Sequence, residues 1–116
     1  MTRARALSCM YPIRYTPIVI RFETTADFDQ WLSGLRDRAA KARIIQRIES
    51  ATSGNFGDCA PVGEGVSEMR IHTGPGYRIY FTRIGSTVYL LLAGGDKASQ
   101  PRDIKRALAM VRTLKE

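Results

Sequence analysis

Between positions 68 and 97 the sequence carries Glu68, Arg70, His72, Arg78, Tyr80, Asp96 and Lys97, the side-chain types that metal-free cleavage of a phosphodiester requires. Attack of a ribose 2′-oxygen on the neighbouring phosphorus needs a base for the 2′-proton, cations for the charge that builds on phosphate, and an acid for the departing oxygen. Arginine suits the second task, because its planar fork meets two phosphate oxygens and keeps its charge. Glu68, His72 and Asp96 are candidates for base or acid, while Tyr80 and Lys97 can assist the leaving group or the scissile phosphate. Spacing alone does not divide these roles. The same residues also suit an ion-pair network that solvates an exposed sheet face.

Any such chemistry requires the side chains to share a face, and two turns bear on that. Gly74-Pro75-Gly76 separates strand-like segments 67–73 and 76–83, and Gly85-Ser86 is suited to a two-residue turn before segment 84–93. With Thr73 opposite Tyr77, His72 lies opposite Arg78, Arg70 opposite Tyr80 and Glu68 opposite Thr82. Alternation then puts all six on one face and Met69, Ile71, Tyr77, Ile79 and Phe81 on the other, a core pattern. Across the second turn Arg78 falls beside Ala93 and Tyr80 beside Leu91, so Asp96 and Lys97 leave the sheet next to Arg78.

The elements around this meander follow from periodicity and capping residues. Pro17 to Glu23 is β-branched and apolar enough for a first strand. Thr24 with Asp27 marks a helix start, after which Phe28, Trp31, Leu32 and Leu35 recur at helical spacing. Asp37 can cap a second helix whose stripe is Ala40, Ile44, Ile45 and Ile48, with Gly54 as its stop. The two helices are expected to pack as a hairpin. Residues 54–65 lack a period and are rich in glycine, so they are expected to be loop. Ser99-Gln100-Pro101 opens a last helix running to about Leu114. The expected fold is α+β: a small twisted antiparallel sheet with an N-terminal two-helix hairpin packed on one face and a C-terminal helix. Residues 1–17 read as an N-terminal extension, with Met10 an alternative start, and 18–116 as the domain.

The chain has 116 residues, enough for one core, and its 18 Lys and Arg outnumber 11 Asp and Glu for a net charge of +7. A small domain this basic attracts phosphate polyanions or an acidic protein. No apolar run approaches membrane-spanning length and the N-terminal segment has no signal-peptide core, so a cytoplasmic protein with no membrane partner is expected. Cys9 and Cys59 lack metal-ligand or redox spacing, and neither a metal nor another cofactor is expected. Two cationic clusters, Arg36 to Arg47 and Lys97 to Lys115, lie on helix-like segments, where solvent is an adequate explanation. Arg70, Arg78 and Arg83 interrupt strands and are the more informative set.

Four ordered blocks resemble a known family: Gly54-Asn55-Phe56-Gly57-Asp58; Pro61 to Ile71; Gly74-Pro75-Gly76-Tyr77-Arg78-Ile79-Tyr80-Phe81; and Leu91-Leu92-Ala93-Gly94-Gly95-Asp96-Lys97. They look like the signature segments of the addiction module killer proteins, a phage-related, HigB-like group of the RelE/ParE toxin superfamily, over about Ile18 to Glu116. The resemblance implies a RelE-like fold and the toxin of a type II toxin–antitoxin module. RelE-like and HigB-like members are ribosome-dependent endoribonucleases, or mRNA interferases, that arrest translation by cutting messenger RNA. The implied partners are therefore mRNA and the ribosome, and a neutralising cognate antitoxin of helix-turn-helix type encoded alongside. Operator DNA would be reached through the toxin–antitoxin complex. ParE-like members instead poison DNA gyrase on the same scaffold, and fold cannot choose between the two. A non-catalytic nucleic-acid-binding module is the third alternative. Arg70 and Arg78 fall at strand positions that match those of RelE-like members; with the polar face read above, Arg70, Arg78, Tyr80, Asp96, Lys97 and Glu68 are the catalytic candidates, and His72, Lys41, Arg43, Arg47 and Arg83 the RNA-binding ones. Several RelE-like toxins place a histidine or tyrosine at the sheet end where this chain has Asp96-Lys97, which leaves the general base unassigned.

Overall fold

A computed structural model describes residues 19–115; the expected extension over 1–17 lies outside the described residues. The order is β1 (Arg21–Thr24), α1 (Ala26–Gly34), α2 (Arg38–Thr52), β2 (Cys59–Gly63), β3 (Val66–Ile71), β4 (Tyr77–Arg83), β5 (Val88–Gly95) and α3 (Gln100–Leu114). The strands form one sheet in the order β1-β5-β4-β3-β2. β2 to β5 pair antiparallel, whereas β1 runs parallel to β5. The sheet is therefore mixed rather than antiparallel, since β1 enters beside the last strand.

Local chemistry accounts for the helix starts. Thr25, one residue after the expected cap, accepts from the Phe28 N–H and donates its own hydroxyl to the Leu92 carbonyl, which fastens the head of α1 to β5. Asp37 caps α2 through the Ala40 N–H, as its position suggests. The expected hairpin is corrected: α1 and α2 are not arranged as an N-terminal helix pair. Phe28 and Trp31 of α1 pack toward β5, and α2 brings Ala40 and Ile44 onto the sheet toward β3. Each helix spends its apolar stripe on the sheet, which leaves little to join the two to each other.

A second correction concerns the glycine-rich stretch expected to be loop, which contains β2. Pro61 sits in that strand and lacks an N–H, a defect that an edge strand with one partner tolerates.

The sheet carries a core on each side. Met69, Ile71, Tyr77, Ile79, Phe81 and Leu91 meet α1 and α2, and Val66, Tyr80, Leu92 and Ala93 meet Ala107 and Val111 of α3. β4 and β5 change register between Tyr80 and Phe81: Tyr80 pairs with Ala93 and Phe81 with Leu91. The intervening Leu92 is a bulge that lets two successive residues join the α3 side. α3 thus lies on the face expected to be open and polar, where it covers Val66, Tyr80, Leu92 and Ala93.

Candidate functional site

At the centre of what remains is Glu68. β3 and β4 pair with Arg70 opposite Arg78 and Glu68 opposite Tyr80, a register two residues from the expected one. Because the pleat has period two, that shift changes every partner and leaves every face assignment intact. It also sets two guanidiniums directly across from each other, which costs energy unless an anion lies between them. Glu68 is that anion. Its side chain is 4% exposed, and Oε2 accepts from Arg70 Nε at 3.0 Å and from Arg78 Nη1 at 3.3 Å. Gln100, in the first turn of α3, donates to Oε1 at 3.0 Å. A carboxylate this buried requires such partners. Arg70 keeps 36% of its side chain exposed and Arg78 only 14%, so Arg70 is the guanidinium a large substrate reaches more readily.

The network continues outward to Asp58 and His72. The Asp58 carbonyl accepts the Arg70 N–H at 2.9 Å just ahead of β2, which brings its carboxylate beside the end of β3. Oδ1 then lies 3.4 Å from Arg70 Nη1 and Oδ2 lies 2.6 Å from His72 Nε2. The His72 hydrogen bond, the largest influence, together with the Arg70, His72 and Arg47 charges outweighs the opposing desolvation and holds the Asp58 carboxyl below its ordinary value. Five ionic or hydrogen-bonding side chains, Asp58 ahead of β2, Glu68 and Arg70 of β3, His72 just past its end and Arg78 of β4, form one connected cluster with Gln100.

The other expected site residues are placed differently. Tyr80 is fully buried beneath α3, and burial, followed by the neighbouring Glu68 charge, raises its phenol well above the usual range. It faces the right way by alternation but is covered, because Ala107 and Val111 pack on the same strand. Asp96 receives the Ser99 N–H and hydroxyl on Oδ1, and its own N–H donates to Ser99 Oγ; it builds the turn into α3. Lys97 is exposed and its Cβ lies close to Gly76 at the β3–β4 loop, at the margin of the cluster. Arg47 donates to the Arg70 and Phe56 carbonyls, tying α2 to β3 and the following loop rather than extending freely into solvent. Lys41 reaches the Ser33 carbonyl and Arg83 the Gly85 carbonyl, and Arg43 is exposed on α2.

Asp58 and Gln100 were not among the candidates from sequence. Asp58 lies 14 residues from His72 in what reads as a loop, and its only signal was its place in the Gly-Asn-Phe-Gly-Asp block. Nothing in the sequence marks Gln100 apart from the helix start. The Cys59 thiol, whose pKa burial pushes up to about 11, is not an activated nucleophile. Among the described residues no three His, Cys, Asp or Glu side chains converge as a metal site, and no helix is long and apolar enough to cross a membrane.

No protein-family model matches the chain. A protein of Haemophilus influenzae described as an uncharacterized protein is 43% identical over 97 residues, 84% of this chain and 98% of the Haemophilus one.

Proposed function

The chain belongs to one family with this Haemophilus influenzae protein, and for it we propose the role of toxin in a type II toxin–antitoxin pair, one that cuts messenger RNA on the ribosome. The observation that carries the reading is the facing pair Arg70 and Arg78, held by the single buried carboxylate of Glu68. Two strand arginines fixed against a shared anion have little rotamer freedom left to lose when a phosphate arrives. Their remaining N–H groups can donate to the non-bridging oxygens, on which charge grows as the 2′-oxygen attacks. The resemblance of the four sequence blocks to HigB-like toxins supports the same chemistry, and a net charge of +7 suits both an RNA substrate and an acidic antitoxin segment. Operator DNA would be contacted through that antitoxin.

Expression alone is expected to arrest growth, and co-expression of the helix-turn-helix protein encoded beside it to relieve the arrest. Primer extension after induction should show cuts inside translated codons that vanish when translation is blocked. Arg70→Ala is expected to slow cutting by roughly 100- to 1000-fold, the loss of one charge-assisted contact to the transition state. Arg102→Ala, on a side chain 79% exposed, should cut normally. Intact transcripts beside broken DNA would replace this reading with gyrase poisoning.

A further inference from the structure

The nuclease reading leaves the proton of the attacking 2′-hydroxyl without a named acceptor, and the cluster narrows the choice. Glu68 is buried and already accepts from Arg70, Arg78 and Gln100. Asp96 is engaged with Ser99 at the head of α3. His72 differs from both: its side chain is 73% exposed, and Nε2 lies 2.6 Å from Asp58 Oδ2. A carboxylate on one ring nitrogen fixes the tautomer and the ring orientation, and leaves the other nitrogen as the basic one. The second Asp58 oxygen lies within reach of Arg70. One carboxylate therefore sets the imidazole and the exposed phosphate-binding guanidinium relative to each other.

We infer that His72 and Asp58 are the general-base pair of this site, with His72 Nδ1 taking the 2′-hydroxyl proton of RNA and Asp58 serving as the positioning residue. The inference rests on the nuclease reading. In the step the 2′-oxygen bonds to the adjacent phosphorus and the bond from phosphorus to the 5′-oxygen breaks. The 2′-proton passes to Nδ1, and the departing 5′-oxygen takes a proton from water. The ends are a 2′,3′-cyclic phosphate and a 5′-hydroxyl, and DNA, which lacks the 2′-oxygen, is not a substrate. The imidazolium that forms is stabilised by Asp58 on its far nitrogen. The charged and titratable groups around the pair are Arg70 and Glu68 of β3, Arg47 of α2 and Cys59 of β2, each acting on Asp58 or on Arg70.

The test is the single-turnover cleavage rate of labelled mRNA on translating ribosomes, measured across pH for the full chain and three variants at two exposed positions, His72 and Asp58. His72→Gln is expected to be about 100-fold slower or more, and to lose the acid limb of the rate profile. His72→Gly should regain part of the rate with added imidazole. Asp58→Asn is expected to lose roughly 10- to 100-fold in rate at saturation, with the half-saturating concentration unchanged. A folded His72→Gln that cuts at the wild-type rate overturns the assignment, as does absence of imidazole rescue, while the nuclease reading stands. An unchanged rate in Asp58→Asn removes Asp58 from its role. Failure of the wild-type chain to cut the message overturns the nuclease reading itself and this inference with it.

Discussion

The Tyr80 hydroxyl lies in the core under α3 with no hydrogen-bond partner among the described residues, an arrangement that costs roughly 1–3 kcal/mol. Removing the hydroxyl and keeping the ring should therefore help. Tyr80→Phe is expected to raise stability by about 1 kcal/mol in urea denaturation and to leave toxicity intact. A stable Tyr80→Phe that no longer arrests growth would return the phenol to the chemistry. Arg78 also has a buried, unpartnered Nε, and its Nη1 holds Glu68, as Arg70 Nε does. Truncating either arginine takes one guanidinium from that buried carboxylate, so the denaturation midpoint of each variant is read beside its cutting rate.

At the scale of elements, β5 is pressed from both sides at its end. A Cβ on Gly94 would overlap the Trp31 ring of α1, and one on Gly95 the Asp103 carboxylate of α3. These glycines let helices approach both faces of one strand. Gly94→Ala and Gly95→Ala are each expected to cost about 1–3 kcal/mol through overpacking. Gly34→Ala, where nothing lies within 4 Å of the added methyl, should gain about 0.5–1 kcal/mol by the usual preference for alanine in helices. Midpoints of chemical denaturation for the three variants would decide it, and a neutral Gly94→Ala would show that Trp31 yields. From sequence these glycines lie just past the strand-like segment 84–93, and nothing more could be read of them, because close approach is a property of the partner elements. Strand alternation was legible, since Met69, Ile71, Tyr77, Ile79 and Phe81 share a face in any even register. What covers the opposite face was not, because the stripe of α3 can pack on any apolar surface offered. For the same reason the polar set was legible as a group, while the burial of Tyr80 and the arrival of Asp58 were not.

Across the whole molecule, two carboxylates join distant parts. Glu64, at a positive φ of 51° in the β2–β3 turn, receives Arg112 near the end of α3 through both oxygens, at 3.0 and 2.6 Å, and Asp58 receives His72 and Arg70. Hydrogen bonding to Arg112 holds the Glu64 carboxyl below its ordinary 4.5, as His72 holds Asp58 below 3.8. A depressed carboxylate contributes stability above its unfolded value and loses it as pH falls through the folded one. Thermal midpoints should accordingly fall below about pH 4, and Glu64→Gln should fall less steeply there; an unchanged slope would show the pair to be inert. Both groups are well exposed, so high salt should shrink the effect. The parallel seating of β1 bears on how the molecule comes together. β2 to β5 each pair with a neighbour in the chain, but Arg21 must find Val88. During synthesis β1 leaves the ribosome well before β5 exists. Its own register therefore waits for the meander to finish, and the Thr25 tie to Leu92 closes α1 onto the sheet only at that moment, a long loop closed late.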